Sequence, residues 1–389
     1  MFKLNQKCIV FVLFILWFIP GVLAQDSLIT DTFKPANKKY IISVVMPFCN
    51  KQILFNPQTK NAALGNACRQ YFEGFKLALD SFNKSVVPIE IRVFDTQGDS
   101  NIFKIIMNKT DFQESNLIFG PVVKDGHTMM KPFCEKYKVY NISPFLTLTK
   151  SKINNPYLIS SYPDLSYYGD FILEQIKQGG WDDANVVILT GKEANEKIIA
   201  ARIMALKLKY AGFTLKIIDI NKYLDYCKVY RSGRPNHVII ESDNEFSVTT
   251  AMRYLADTTL FSGLITYGSK KILEFKSPDI SMWQHLNLNV VSPFYIDYQN
   301  AKVKLFIERY RERYYSEPAE FAFNGYEQAT FFITYFLENN GLMDKIIEKN
   351  QVKPISNWFK IRAKIEGKGL QSSKLNMLYF EDNELKRWE

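Results

Sequence analysis

Residues 306–337 constrain this chain more than any other stretch. Phe306, Tyr310 and Tyr314 recur every four residues, which sets three rings on one helical face. Pro318 is expected to stop that helix. A second helix is predicted through Ala322, Gly325 and Tyr326 into the aromatic run Ala329-Thr-Phe-Phe-Ile-Thr-Tyr-Phe336. Gly325 there permits a close backbone approach while the apolar side chains bury.

Upstream, strand and helix patterns alternate. Ile41 to Phe48 is a nearly continuous apolar run, as a parallel strand buried on both faces requires. Helical patterns around Tyr71 to Asp80, Ile102 to Met107 and Met129 to Tyr137 interleave with strand patterns at Ile89 to Phe94, Leu117 to Phe119 and Val139 to Ser143. After Pro163 the series restarts. Helices are predicted over Leu165 to Ile176, Lys197 to Tyr210 and Val248 to Leu255. Strands are predicted at Asn185 to Thr190, Leu215 to Ile220, His237 to Glu241, Leu264 to Tyr267 and Leu288 to Ser292. Such alternation implies parallel sheets flanked by helices, and two series imply an α/β chain of two Rossmann-like lobes. Strand-like pieces recur at Phe359 to Ile365 and Leu375 to Phe380, and the charged segment from Glu381 is expected as a solvated tail.

Bulk properties agree with two units. At 389 residues the chain is long for one core, and 47% hydrophobic with 23% charged residues describes a globular protein. Lys3 and Lys7, the apolar run Cys8 to Leu23 and the small residues of Val22-Leu23-Ala24 read as a cleavable export signal over 1–24, with Gln25 as the new start and 25–37 as a leader. This places the mature chain in the periplasm or outside the cell. Removing Lys3 and Lys7 from a formal charge of +9 leaves +7. The basic residues are scattered among acids, so no coherent patch for nucleic acid exists, and Arg309-Tyr-Arg311-Glu-Arg313 reads as a solvated helix face.

Four cysteines follow the signal: Cys49, Cys68, Cys134 and Cys227. In an oxidising compartment a Cys49–Cys68 bridge would staple the loop between the first strand and the next helix, worth about 3 kcal/mol in the chain-entropy model. Four buried free thiols are the alternative. No Cys-x2-Cys pair supports zinc, and His127, His237 and His285 share no metal-ligand spacing, so no metal or other cofactor is expected. There is no Gly-x-Ser-x-Gly elbow and no phosphate-binding Gly-x4-Gly-Lys loop, so enzyme chemistry finds no footing.

Several blocks in order resemble the type I periplasmic solute-binding proteins, the Leu/Ile/Val-binding class. Tyr71-Phe-x-Gly74-Phe-x-Leu-Ala78-Leu-Asp80 looks like that family's first helix, whose glycine lets it sit close on the sheet. Phe119-Gly120-Pro121 looks like the turn after the third strand, and Ile142-Ser143-Pro144-x2-Thr147 like the turn after the fourth. The 306–337 segment is similar to the family's helix–Pro–helix block, and the overall style resembles a divergent Bacteroidetes-type branch. The resemblance spans 40–380 and implies a clamshell fold with three inter-lobe crossings. Lobe 1 would take 38–163 and 296–340, and lobe 2 would take 164–295 and 341–389. Lobes of this kind close by a hinge on a ligand held at the carboxyl ends of the strands.

By that logic lobe 1 offers Gln52, Asp95, Lys124, Asp125, Ser143 and Thr147, and lobe 2 offers Thr190, Glu193, Glu241, Asp243 and Tyr267. Thr147 fits the family's carboxylate-binding position. The chain departs elsewhere: Val122-Val123-Lys124 lacks the other hydroxyl, Ala194 stands where an aromatic is usual, and Tyr267-Gly268-Ser269 lacks the acid that meets a substrate ammonium. Either Glu241 or Asp243 takes over that role, or the ligand is not a simple α-amino acid. Structural roles compete: Thr147 as a turn residue, Asp95 as a cap near Gly98, Glu241 and Asp243 as loop acids or an N-cap, Lys124 with Asp125 as a surface pair, Tyr267 in the core. The resemblance implies an exported binding protein for a small polar ligand, amino-acid-like or a derivative, partnered by an ABC-type membrane permease or envelope receptor. A second reading is a ligand-free envelope scaffold, for example a regulator of peptidoglycan synthesis on the same fold.

Overall fold

Among the described residues the alternating strand and helix patterns build two sheets of seven strands each. The computed structural model describes residues 39–49, 58–82, 88–122, 124–145, 154–164, 166–257, 259–347, 359–363 and 369–388. The signal and leader expected over 1–37 lie outside the described residues. No helix among the described residues is long and apolar enough to cross a membrane.

The first lobe opens with β1 (Tyr40–Met46), α1 (Lys60–Leu79), β2 (Ile89–Asp95), α2 (Ser100–Met107), α3 (Thr110–Gln113) and β3 (Leu117–Phe119). It continues through α4 (Lys124–Tyr137), β4 (Tyr140–Ser143) and β5 (Leu158–Ser160). The second lobe begins with α5 (Ser166–Gln178), β6 (Asn185–Thr190), α6 (Ala194–Ala205), β7 (Thr214–Asp219) and β8 (Asn236–Glu241). Then come α7 (Glu245–Leu255), β9 (Leu264–Ser269), α8 (Ile280–His285) and β10 (Leu288–Ser292). The late elements are α9 (Ala301–Tyr314), α10 (Glu320–Glu338), β11 (Ile361–Ala363), β12 (Leu370–Ser372), β13 (Asn376–Glu381) and β14 (Glu384–Arg387).

Strand order is β11-β12-β5-β4-β3-β1-β2 in the first sheet and β14-β13-β10-β9-β8-β6-β7 in the second. The strands from β1 to β5 and from β6 to β10 pair in parallel, with the order reversing at β1 and at β6. Such reversal points open a crevice at the carboxyl ends of the strands. Successive strand residues bury on opposite faces. Val44 and Phe119 pack with Phe75, Phe332 and Phe336 on one side, while Val45 and Ile118 meet Phe112 and Cys134 on the other. In the second lobe Leu189 and Ile240 join Val248 and Met252, and Ile188 and Ile239 join Leu173 and Ile203.

Among the described residues the chain passes between the sheets three times, near 161–164, 293–300 and 373–375. The third crossing corrects the expectation that all of 341–389 belongs to lobe 2. β12 pairs in parallel with β5, and β11 pairs with β12, so both complete the first sheet before the chain leaves. The expected solvated tail is also corrected. Asp382 and Asn383 take φ of 51° and 65°, the left-handed pair that a tight hairpin uses, and β14 folds back on β13.

The late aromatic segment packs against α1. A Cβ on Gly325 would lie 1.8 Å from the Tyr71 carbonyl oxygen, and one on Gly74 would lie 1.8 Å from that of Ala322. Gly74 therefore serves a helix–helix contact with α10, not the contact with the sheet that the resemblance implied. Phe306 sits 4.6 Å from Phe323 ring to ring, and Tyr310 donates to the Glu73 carboxylate at 2.5 Å. The first helix of this pair ends before Pro318. Tyr315 turns left-handed at φ 52° and its N–H closes on the Arg311 carbonyl at 2.9 Å.

Candidate functional site

The carboxyl ends of β6 and β8 lie side by side, with Thr190 registered against Glu241. Glu241 keeps part of its surface open, yet dense protein surrounds its carboxyl group. Burial first, then the charges of Asp243 and Glu196, push that carboxyl up to about 8. Among the described residues no side chain bonds or ion-pairs with the Glu241 carboxylate. Its backbone carbonyl accepts from Gly191 N at 3.2 Å. Thr190 is buried beside it, and its hydroxyl also has no partner among the described residues.

A second acid builds the floor of this corner. Glu196, in the first turn of α6, accepts from Glu193 N at 2.9 Å and from Asp243 N at 2.7 Å, tying the loops after β6 and β8 together. Its carboxylate lies over Gly191, where a Cβ would come within 2.1 Å of Oε2. Glu193 is the exposed N-cap of α6. Asp243 reaches Lys271 at 3.0 Å, and the N-cap of α7 is Asn244, accepting from Ser247 N at 2.9 Å.

Across the Lys270–Glu320 ion pair from these loops, α10 carries a polar stripe, Glu320, Asn324, Glu327 and Gln328, on a helix otherwise rich in aromatic residues. Asn324 donates to the Tyr162 hydroxyl at 2.9 Å, on the first crossing. Gln328 donates to the Pro144 carbonyl at 3.0 Å and accepts from the Tyr71 hydroxyl at 2.9 Å. Burial and then the Glu320 charge hold the Tyr162 hydroxyl well above its usual range, with Tyr168 and Glu327 adding to the effect. Burial and then Glu241 do the same to Tyr168 on α5. Two tyrosines thus connect Glu320 on lobe 1 with Glu241 on lobe 2. Lys270, just beyond β9, forms an ion pair with Glu320 across the same gap. Phe145 fills the lobe 1 wall between Tyr71 and Phe321, at ring distances of 5.2 and 5.3 Å.

The remaining candidates scatter. Asp95 accepts from Phe48 N at 3.0 Å and Gln97 N at 2.8 Å, so it pins its own loop, while Asp99 caps α2. Ser143 is fully buried, bonded to His127 Nε2 at 3.0 Å within a network that includes Asn141 and Asn155. Asp125 is exposed in the first turn of α4, which Lys124 begins. Tyr267 lies in the core, its hydroxyl 3.1 Å from His237 Nδ1, because β9 runs on to Ser269 and carries the strand end past it. Gln52 and Thr147 lie outside the described residues. Cys49 and Cys68 are both buried free thiols, which corrects the expected bridge. Burial raises both, and Cys68 well beyond the ordinary thiol range, so the thiolate needed for exchange is suppressed.

Sequence reasoning missed Glu196, Tyr168, Lys270 and the α10 stripe. Glu193-x2-Glu196 before a helix was a capping signal, and the stripe recurs at three- and four-residue spacing. A cavity of about 1080 Å³ takes Lys270 and Glu320 into its lining, together with Tyr295, Tyr298, Glu384 and Arg387. It adjoins the second crossing and not Glu241. Among the described residues no group of three potential ligands could hold a metal ion.

Residues 71–205 match the family model described as receptor family ligand binding region. A branched-chain amino acid ABC transporter periplasmic ligand-binding protein from Burkholderia xenovorans LB400 is 13% identical, covering 90% of this chain and 94% of that chain with a TM-score of 0.62. The C-domain of LpoA from Haemophilus influenzae, a regulator of PBP1A, is 13% identical, covering 90% of this chain and 100% of that chain with a TM-score of 0.62. An ABC transporter solute-binding protein from Rhodopseudomonas palustris BisB5, in complex with 3,4-dihydroxybenzoic acid, is 16% identical, covering 90% and 96% with a TM-score of 0.55. No curated protein matches the sequence. The chain has the type I periplasmic-binding clamshell fold, and identities this low carry the fold alone.

Proposed function

We propose that this chain is an exported solute-binding protein that traps a small polar ligand between its lobes and delivers it to a membrane transporter or receptor. The observation that carries the reading is Glu241: a crowded carboxyl at a strand end, without a side-chain partner among the described residues, near Tyr168, which in turn lies near Tyr162 and the Glu320 charge of the other lobe. Such a group suits a ligand bearing an amine. An ammonium placed against it would supply the missing counter-charge, and tyrosine faces favour cations as well. The role the resembled family gives to an acid near 267–269, at the end of β9, would then fall to the end of β8. Because the free carboxyl holds its proton near neutrality, amine binding would release a proton, and affinity would rise with pH towards 8.

Isothermal titration against amine-bearing, carboxylate-only and neutral metabolite pools, with X-ray scattering to follow closure, tests this. Heat and compaction are expected with an amine pool, and Glu241→Gln should weaken the response at least about tenfold, the effect of about 1.4 kcal/mol. Neither heat nor compaction with any pool would refute it. A scaffold role on the same fold is the second reading, because Tyr162 on the first crossing is already held by Asn324 of lobe 1 and the LpoA C-domain is similar in fold. Specific capture of a peptidoglycan synthase by a protein silent to every pool would favour it.

A further inference from the structure

A second cavity lies within lobe 2; its lining does not include Glu241, and it shares Tyr379 and Trp388 with the larger cavity. It measures about 370 Å³ and is walled by Trp181, Trp283, Trp388 and Tyr267, with Asn287 and Asn289 at its polar edge. Every side chain in its lining is uncharged. The volume falls in the range of small-molecule sites, and walls of this kind favour flat rings.

The walls are held from behind. Trp283 of α8 stacks on Phe380 of β13 with ring centres 5.1 Å apart and planes inclined by 27°. Trp388 is fixed at the end of the β13–β14 hairpin by its N–H to the Met377 carbonyl at 2.9 Å. Tyr267 is anchored by His237, which burial pushes down to about 4, so that this wall stays neutral at physiological pH. Asn289 donates to the Asn287 carbonyl at 2.8 Å and Asn287 to the Leu264 carbonyl at 3.0 Å. With their amide nitrogens on backbone, both asparagines can offer side-chain oxygens.

One group is left unpaired by the protein itself. Trp283 is 8% exposed, and its indole N–H is buried with no acceptor among the described residues. A buried donor without a partner is unfavourable, and a bound acceptor would remove that cost.

We propose that this cavity is a second binding site, taking a small, neutral, planar aromatic compound with both a hydrogen-bond acceptor and a donor, as in an aromatic amide or lactam. The acceptor meets the Trp283 N–H, the donor meets an asparagine oxygen, and the ring lies among the indoles. The absence of any charged wall excludes ions, since a dehydrated charge would have no counter-ion there. This site does not depend on the inter-lobe reading.

Three of the chain's five tryptophans line the cavity, so intrinsic fluorescence reports on it directly. The full chain is titrated with benzamide and 2-quinolinone, and with benzoate and benzylammonium as charged counterparts. Saturable quenching by a neutral probe is expected, at least tenfold weaker with the charged ones. Trp283→Phe, which keeps the stack on Phe380 and deletes the N–H, should weaken binding several-fold. Trp388→Ala, at the chain's last described position, should weaken it further, and Glu241→Gln should leave it unchanged. Absence of saturable quenching by both neutral probes, confirmed by ligand-observed NMR, overturns the proposal. So does equal binding of the charged probes, or binding that follows Glu241→Gln and ignores both tryptophan variants. If either tryptophan variant fails to fold by circular dichroism, protection of the bound probe's ring protons by Trp283 in NMR decides in its place, and its absence counts against the site.

Discussion

Replacing Glu241 with Gln should make the ligand-free protein more stable, by an amount that depends on pH. The folded carboxyl titrates near 8 and its ordinary value is 4.5. Below pH 4.5 both folded and unfolded chains hold the proton, so the residue costs nothing. As pH rises from 4.5 to 8 the unfolded chain ionises while the folded one does not, and the folded state loses ground throughout that window. At 1.36 kcal/mol per unit the undiscounted penalty is about 3 kcal/mol at pH 7 and about 5 kcal/mol at pH 9. The part of Glu241 left open to solvent screens some of this, leaving roughly 2 kcal/mol at pH 7. Gln keeps the shape and has no charge to lose. Urea denaturation of parent and variant at pH 4.5, 7 and 9 gives the difference. The midpoints should coincide at pH 4.5 and separate in the variant's favour at higher pH. A variant no more stable at pH 9 than its parent, or a gain equal at all three pH values, would refute the dehydrated carboxyl.

Gly325→Ala forces a Cβ into the Tyr71 carbonyl at 1.8 Å, so α1 and α10 must part; a loss of about 3 kcal/mol in urea denaturation is expected for overpacking of this kind. Lys270→Ala removes the ion pair to Glu320, whose partners are each about a third exposed, and should cost under about 1 kcal/mol of stability while measurably raising the radius of gyration in X-ray scattering. Thiol titration should find Cys227 reactive in the native state, with Cys49, Cys68 and Cys134 reacting only after denaturation, because burial raises all three.

Periodicity made the two α/β series legible because the central strands are buried on both faces, while the edge strands β2 and β7 still carry enough apolar residues to read as strands. The chain's end was not legible for a local reason. The charges of Glu381, Glu384 and Lys386 conceal a hairpin whose signal is only the Asp382-Asn383 turn. Gly74 reads the same whether a helix lies close on a sheet or on another helix, and only the partner's position tells them apart. Within the site, strand ends pointed to Glu241 and Thr190, which the structure places side by side. The same rule overreached at Tyr267, because a two-residue extension of β9 moves the strand end. The stripe of Glu320, Asn324 and Glu327 was hidden by the rings around it, since aromatic content dominates any average over that helix.

The path of the chain also bears on the order in which this molecule can be made. The first sheet waits for β11 and β12, and the second waits for β13 and β14, so neither can finish while a ribosome still holds the last described residues. Contacts that join the ends of a long sequence form slowly. A nascent chain of this design leaves the edges of β5 and β10 bare until synthesis is nearly over, and bare edges recruit other strands. Premature termination before residue 370 would leave those edges bare in both lobes.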